Sequence, residues 1–107
     1  MKTFPNTAQK GSVRYIVFKE KKTWYAVALE FNIIESGEDP QLVLFRLFEA
    51  IKGYVASFKK VKGARPYTLN QKSEDEYEKL WIKLRYKKPI RSPYTVHTFG
   101  ERNLALV

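Results

Sequence analysis

Cysteine is absent from this 107-residue chain, which excludes disulfides, thiolate metal sites and a cysteine nucleophile, and fits a reducing, cytoplasmic compartment. Histidine occurs once, at His97, with no second histidine to share a metal and no Ser or Cys nucleophile context, so it reads as an ordinary strand residue. The five glycines are scattered singly, so no Gly-rich phosphate loop can be drawn from them. No apolar run is long enough to span a membrane, and the amino terminus lacks the pattern of a signal peptide. No internal repeat or low-complexity tract is present. No cofactor and no metal are expected, and the chain is not expected to be an enzyme.

Acid is scarce as well. Eleven Asp and Glu stand against 20 Lys and Arg, a formal charge of +9, which points to an anionic partner, nucleic acid first. Its distribution says more than its total. Between Thr23 and Phe45 lie four acids, Glu30, Glu35, Glu38 and Asp39, without one Lys or Arg, and the other 84 residues hold all the basic side chains against seven acids. The molecule is therefore expected to be polarised, with an acidic pole and a basic remainder. Glu38 and Asp39 can serve a helix amino terminus, which leaves Glu30 and Glu35 without that explanation.

What is present fits one domain over residues 1–107, large enough to bury a core without staples. Residues 1–10 carry no periodicity and read as a loose arm. Residues 13–18 are β-branched and aromatic, the polar run 19–23 reads as a hairpin loop of about five residues, and residues 24–31 form a second strand. One face of that strand, Tyr25, Val27, Leu29 and Phe31, is bulky enough to pack on the long helix that follows. The other, Trp24, Ala26, Ala28 and Glu30, is too apolar for full solvation, so a later helix, a second copy of the chain or another protein should cover it. A third strand over 33–36 completes an antiparallel meander.

Asp39 and Pro40 then start a long helix, Asp as cap and Pro at the first helical position. Leu44, Leu47, Phe48, Ile51, Tyr54, Val55 and Phe58 fall at steps of three and four on its apolar face, opposite Arg46, Glu49, Lys52, Lys59 and Lys60. Gly53 inside this helix costs about 1 kcal/mol relative to Ala, and marks either a close approach by another backbone or a tolerated position on the exposed side. After a hinge at 62–66, residues 67–69 can make a short edge strand. Ser73 and Glu76 have the spacing of a capping box for a second helix, with Tyr77, Leu80, Trp81 and Leu84 on its apolar face and Pro89 as its stop. A last strand covers 94–99. The fold class is thus α+β: a three-stranded antiparallel meander with a crossing helix over 11–60, extended by a second helix and a carboxy-terminal strand over 61–107.

Residues 15–58 resemble the amino-terminal domain of HicB-type antitoxins, a small strand-strand-strand-helix unit with a partial ribonuclease H-like fold. The likeness is carried by Trp24-Tyr25-Ala26-Val27-Ala28-Leu29, by Ile34-Glu35-Ser36-Gly37-Glu38-Asp39 running into Pro40, and by Phe48-Glu49-Ala50-Ile51 in the helix. It implies a non-catalytic protein that binds and blocks a small basic RNA-cleaving toxin of the HicA type, a partner suited to the acidic pole. Such antitoxins commonly add a helix-turn-helix or ribbon-helix-helix for operator binding. Here a single capped helix, a strand and a short tail follow instead.

Trp24, Ala26, Ala28, Glu30, Glu35 and Glu38 are accordingly the expected partner-binding residues, with a homodimer through the sheet as a further possibility. The alternative is a nucleic-acid-binding module using the basic second half, Lys59, Lys60, Lys62, Arg85, Lys87, Lys88 and Arg91, where Phe58, Tyr86 and Tyr94 interleave with the cations. The same residues also read as solvated helix ends. A nuclease on this scaffold would need converging carboxylates, and the first strand has none between Ser12 and Phe18.

Overall fold

The β-branched and aromatic run at 13–18 forms the middle of β1 (Ser12–Glu20) in the computed structural model, which describes residues 5–7, 10–61, 63–90 and 94–106. β1 turns through Lys21 and Lys22 into β2 (Thr23–Ala28). The loop is shorter than the polar run suggests, because Lys19 pairs with Trp24 and Glu20 with Thr23. Lys21 takes a left-handed φ of 59° to close the turn. β2 ends at Ala28, three residues before the alternating pattern does, and a second turn with Asn32 at φ 52° leads into β3 (Ile33–Gly37).

Asp39 caps α1 (Pro40–Lys60) as its sequence predicts, Oδ1 accepting from Gln41 N at 2.8 Å and Leu42 N at 3.4 Å. Its buried row is Val43, Leu47, Ile51 and Val55, with Leu44, Phe48, Tyr54 and Phe58 packed on either side. Residues 66–69 form a single 3-10 turn in place of the expected edge strand, started by Pro66 and anchored by the buried Leu69. Tyr54 Oη donates to Thr68 O at 2.6 Å and accepts from Gln71 Nε2 at 2.9 Å, tying that segment to α1.

α2 (Asp75–Arg85) starts two residues after Ser73. The capping box does not form, since the buried Ser73 donates instead to Glu78 Oε1 at 2.7 Å. The apolar face of α2 is the predicted one: Leu80 and Trp81 are buried, with Tyr77 and Leu84 packed beside them.

β4 (Tyr94–Asn103) runs past Gly100 and pairs antiparallel along the whole of β1, with an irregularity at Val17 and Phe18. The result is an α+β fold with one four-stranded antiparallel sheet in the order β3-β2-β1-β4. The carboxy-terminal strand is therefore an integral part of the sheet.

Both faces of the sheet are covered, one cluster joining it to α1 and the other to α2. Trp24, Ala26 and Ala28 lie toward α1, and Tyr25, Val27 and Leu29 toward α2. This reverses the expected assignment. Alternation gives two faces and leaves open which helix takes which. Small Ala26 and Ala28 make room for α1, whereas the other face is filled by Phe18, Tyr25 and Trp81. Phe31 joins the α1 side because the turn at 29–32 breaks the alternation. The amino-terminal segment is also anchored where it is described. Asn6 is buried, donating through Nδ2 to Leu69 O and accepting at Oδ1 from Ser12 N, both at 2.9 Å.

Candidate functional site

Of the six expected partner-binding residues, two are removed from the surface altogether. Ala26 and Ala28 are fully buried under α1, and Trp24 is half-buried beside them. A homodimer through this sheet face is closed off for the same reason, since α1 already occupies it.

Glu30 is committed within the fold. Its Oε1 accepts from the backbone N of Arg14 at 2.8 Å and its Oε2 from Arg14 Nε at 2.6 Å. The rest of the guanidinium grips Glu78 on α2 with bonds of 2.9 and 2.7 Å. Burial alone would lower the Arg14 pKa, but the hydrogen bonds it donates to Glu78 and Glu30 outweigh it and hold the guanidinium more firmly protonated than usual. Glu78 is driven below its ordinary value, first by its bond to Arg14, against the effect of burial and with help from Ser73.

Glu35 and Glu38 remain. Glu35 is half-buried on β3 opposite Ala26, and Glu38 is exposed where β3 passes into α1. β3 is an outer strand paired on one side only, to β2, so its other edge presents free backbone donors and acceptors. Beside it lies a cleft of about 310 Å³ lined by Val27, Asn32, Ile34, Lys72, Ser73, Glu74 and Tyr77. Asn32 Nδ2 donates to Gln71 Oε1 at 3.1 Å, bringing the turn before β3 against the segment that leads into α2. Ile34 is 49% exposed at the cleft.

Glu74 adds a carboxylate from the far side of the sequence. The phenol of Tyr77 is pushed above its ordinary pKa by burial and then by the negative potential of Glu76, Glu74 and Glu20, with a further contribution from Tyr25. Glu35 and Glu38 thus stand on and just beyond β3, Glu35 on the α1 side of the sheet, while Glu74 lines the cleft on the α2 side together with Lys72. Glu35 and Glu38 are legible in the sequence as part of its acid-only stretch. Ile34, Glu74 and Tyr77 reach the cleft from positions that a strand and a helix explain by themselves, Glu74 at the N-cap of α2 and Tyr77 on its apolar face.

The basic residues divide differently. Lys59 and Lys60 end α1, while Arg85 ends α2 and Lys87 and Lys88 follow it, all five exposed. Because the two helices cover opposite faces of the sheet, these cations belong to two separate patches. Lys62 and Arg91 lie outside the described residues. The α2 patch also holds Tyr86, 69% exposed, and Ile82 one turn earlier. Among the described residues the ion pairs are those of Arg14 with Glu30 and Glu78, so the five cations have no internal counter-charge in direct contact.

His97 packs edge-on against Trp24, ring centroids 5.8 Å apart, and its Nε2 is 3.3 Å from Gln41 Nε2. Among the described residues no three of His, Asp and Glu converge in a way that could hold a metal ion, and no helix is long and apolar enough to cross a membrane. Comparison with protein-family models, with curated proteins and with solved structures finds no match to this chain.

Proposed function

We propose that this chain is a non-catalytic, HicB-like interaction protein that captures a small basic protein, an RNA-cleaving toxin in the antitoxin reading, along the open edge of β3. One observation carries this: an unpaired five-residue strand edge, with Glu35 on the strand and Glu38 just past its end, borders a cleft into which Val27, Ile34 and Tyr77 present apolar surface and Glu74 a carboxylate. An extended segment can add to such an edge through main-chain hydrogen bonds. One apolar side chain then fills the cleft, and neighbouring Lys or Arg meet the carboxylates. Nothing in this mode requires a reactive group.

The test starts from the adjacent reading frames, where a small basic protein is expected. Calorimetric titration of the two purified proteins should give a complex that Glu35→Lys with Glu38→Lys weakens by about tenfold or more, and Ile34→Glu likewise. Absence of any such neighbour, or an affinity indifferent to both changes, refutes the proposal. Glu30 is unsuitable for this purpose, because reversing it breaks the pair with Arg14.

A second reading is favoured by Tyr86, an exposed aromatic ring amid Lys83, Arg85, Lys87 and Lys88 at the end of α2. A base can stack on the ring while the cations hold phosphates. Single-stranded RNA and duplex DNA should then bind with affinity that falls steeply with salt, and Tyr86→Ala should weaken the single strand selectively. Flat salt dependence, or no binding at low ionic strength, removes this reading.

A further inference from the structure

We propose that the outward side of α1 is a homodimer interface, in which two copies pack their α1 helices antiparallel about a two-fold axis. Opposite the buried row, α1 presents Leu42, Phe45, Glu49, Lys52, Ala56 and Lys59, all exposed. Their steps alternate three, four, three, four, three, which is the spacing of a heptad seam that keeps a narrow stripe facing a partner helix. Leu42 is 44% and Phe45 61% exposed, large apolar side chains that the chain's own core leaves uncovered.

The stripe is complementary to its own reverse. With the axis passing between positions 50 and 51, Phe45 of one copy lies on Ala56 of the other and Glu49 lies on Lys52. Leu42 then lies along the methylene stem of Lys59. Each of these layers occurs twice by symmetry. Large meets small at Phe45 and Ala56, and acid meets base at Glu49 and Lys52. A parallel pair would stack Glu49 on Glu49 and Lys52 on Lys52 and align the helix dipoles, so charge selects the antiparallel arrangement.

The seam is short, about 25 Å from Leu42 to Lys59, and the dimer is accordingly weak and salt-sensitive. The cleft beside β3 opens on the α2 side of the sheet. Dimerisation leaves it free, and the inference stands independently of the proposed partner.

Sedimentation equilibrium of the full chain, from micromolar to millimolar concentration, should move from 12.6 kDa toward twice that mass. Phe45→Ser and Ala56→Glu should each leave a monomer with an unchanged circular dichroism spectrum. Glu49→Lys and Lys52→Glu should each weaken association about tenfold, and the double exchange should restore it, because the layer is rebuilt with its signs swapped. Orientation is read by placing Leu42→Cys and Lys59→Cys together in a chain that has no cysteine of its own, which leaves the Phe45–Ala56 and Glu49–Lys52 layers intact. The two positions are about 25 Å apart on one helix, too far to join within a copy, and a parallel pair would join like positions, so an oxidised band at dimer mass from the double variant and from neither single variant requires the antiparallel register. A monomer at every concentration overturns the proposal. So does a dimer indifferent to Phe45→Ser and Ala56→Glu, a double exchange that recovers nothing, or a cysteine pair that does not cross-link.

Discussion

Arg14 and Glu78 meet in a two-pronged hydrogen bond, Nη1 to Oε2 at 2.9 Å and Nη2 to Oε1 at 2.7 Å, across 64 positions of sequence. The pair fixes α2 to β1 from the side, while Leu80 and Trp81 hold it from below. Glu30 takes the remaining Nε and so brings the end of β2 into the same lock. Bidentate geometry gives this contact an orientation as well as an energy.

Glu78→Gln keeps the shape and removes the charge, and should cost about 1–2 kcal/mol in urea unfolding. Arg14→Met should cost more, about 2–3 kcal/mol, because it leaves two carboxylates half-buried without their cation. The pH dependence has a definite sign. The pKa of Glu78 is lower folded than unfolded, so its contribution is complete above the ordinary carboxylate range and is lost as pH falls through the folded value. Acid unfolding of Glu78→Gln should therefore be shallower than that of the parent chain. Parallel curves would show that the pair contributes nothing.

Asn6 is a second lock, placed where no periodic pattern announces one. Its side chain serves Leu69 O and Ser12 N, and its backbone N and O pair with Asn70 Oδ1 and Nδ2 at 2.9 and 3.0 Å. Asn6→Ala strands a buried acceptor and a partly buried donor, and a loss of about 2–3 kcal/mol is expected. Thermal unfolding with amide exchange at Ser12 checks it. An unchanged melting temperature would mean that water replaces the side chain without cost.

Ala26 and Ala28 define how closely α1 approaches the sheet. Ala26→Leu or Ala28→Leu forces methylenes into a filled space between β2 and the buried row of α1. The cost should be about 1–3 kcal/mol, with broadened spectra from residues of α1. If these positions instead belonged to an open binding face, either change would leave stability within about 0.5 kcal/mol.

These two alanines mark the limit of what could be read in advance. The four sheet strands and two α-helices, the Asp39 cap and the apolar row of α2 follow from local signals, alternation, spacing and side-chain capping, that the neighbours of a residue decide, whereas the 3-10 turn at 66–69 does not. Which face of β2 meets which helix depends on the relative bulk of both helices and both sheet faces at once. Ser73 and Glu76 have the right spacing for a cap, but Ser73 spends its hydroxyl on Glu78, whose position is set by Arg14 on a distant strand. The candidate site is half legible for the same reason: Glu35 and Glu38 lie three positions apart in one acid-only stretch, whereas Glu74 meets the cleft beside β3 from the other half of the chain, where Asn32 bonds to Gln71.

Gly53 and Gly100 should respond in opposite directions to one and the same change. Gly53 is on the exposed side of α1, and a Cβ added there meets nothing within 4 Å, so it is the tolerated exposed glycine and not a point of close backbone approach. Gly53→Ala removes backbone freedom from the unfolded chain and should stabilise the fold by about 0.5–1 kcal/mol. Gly100 pairs with Tyr15 across β4 and β1, and an added Cβ would lie 2.8 Å from the Tyr15 hydroxyl and 3.1 Å from Cζ. That ring cannot retreat freely, because it packs edge-on against Phe48 of α1 at 5.1 Å between centroids. Gly100→Ala should therefore destabilise by about 1 kcal/mol despite the better strand propensity of Ala, with the near-ultraviolet dichroism of the tyrosines altered. Equal and positive effects at both sites would mean that Tyr15 moves aside at no cost, and that its contact with Phe48 adds nothing to the seating of α1 on the sheet.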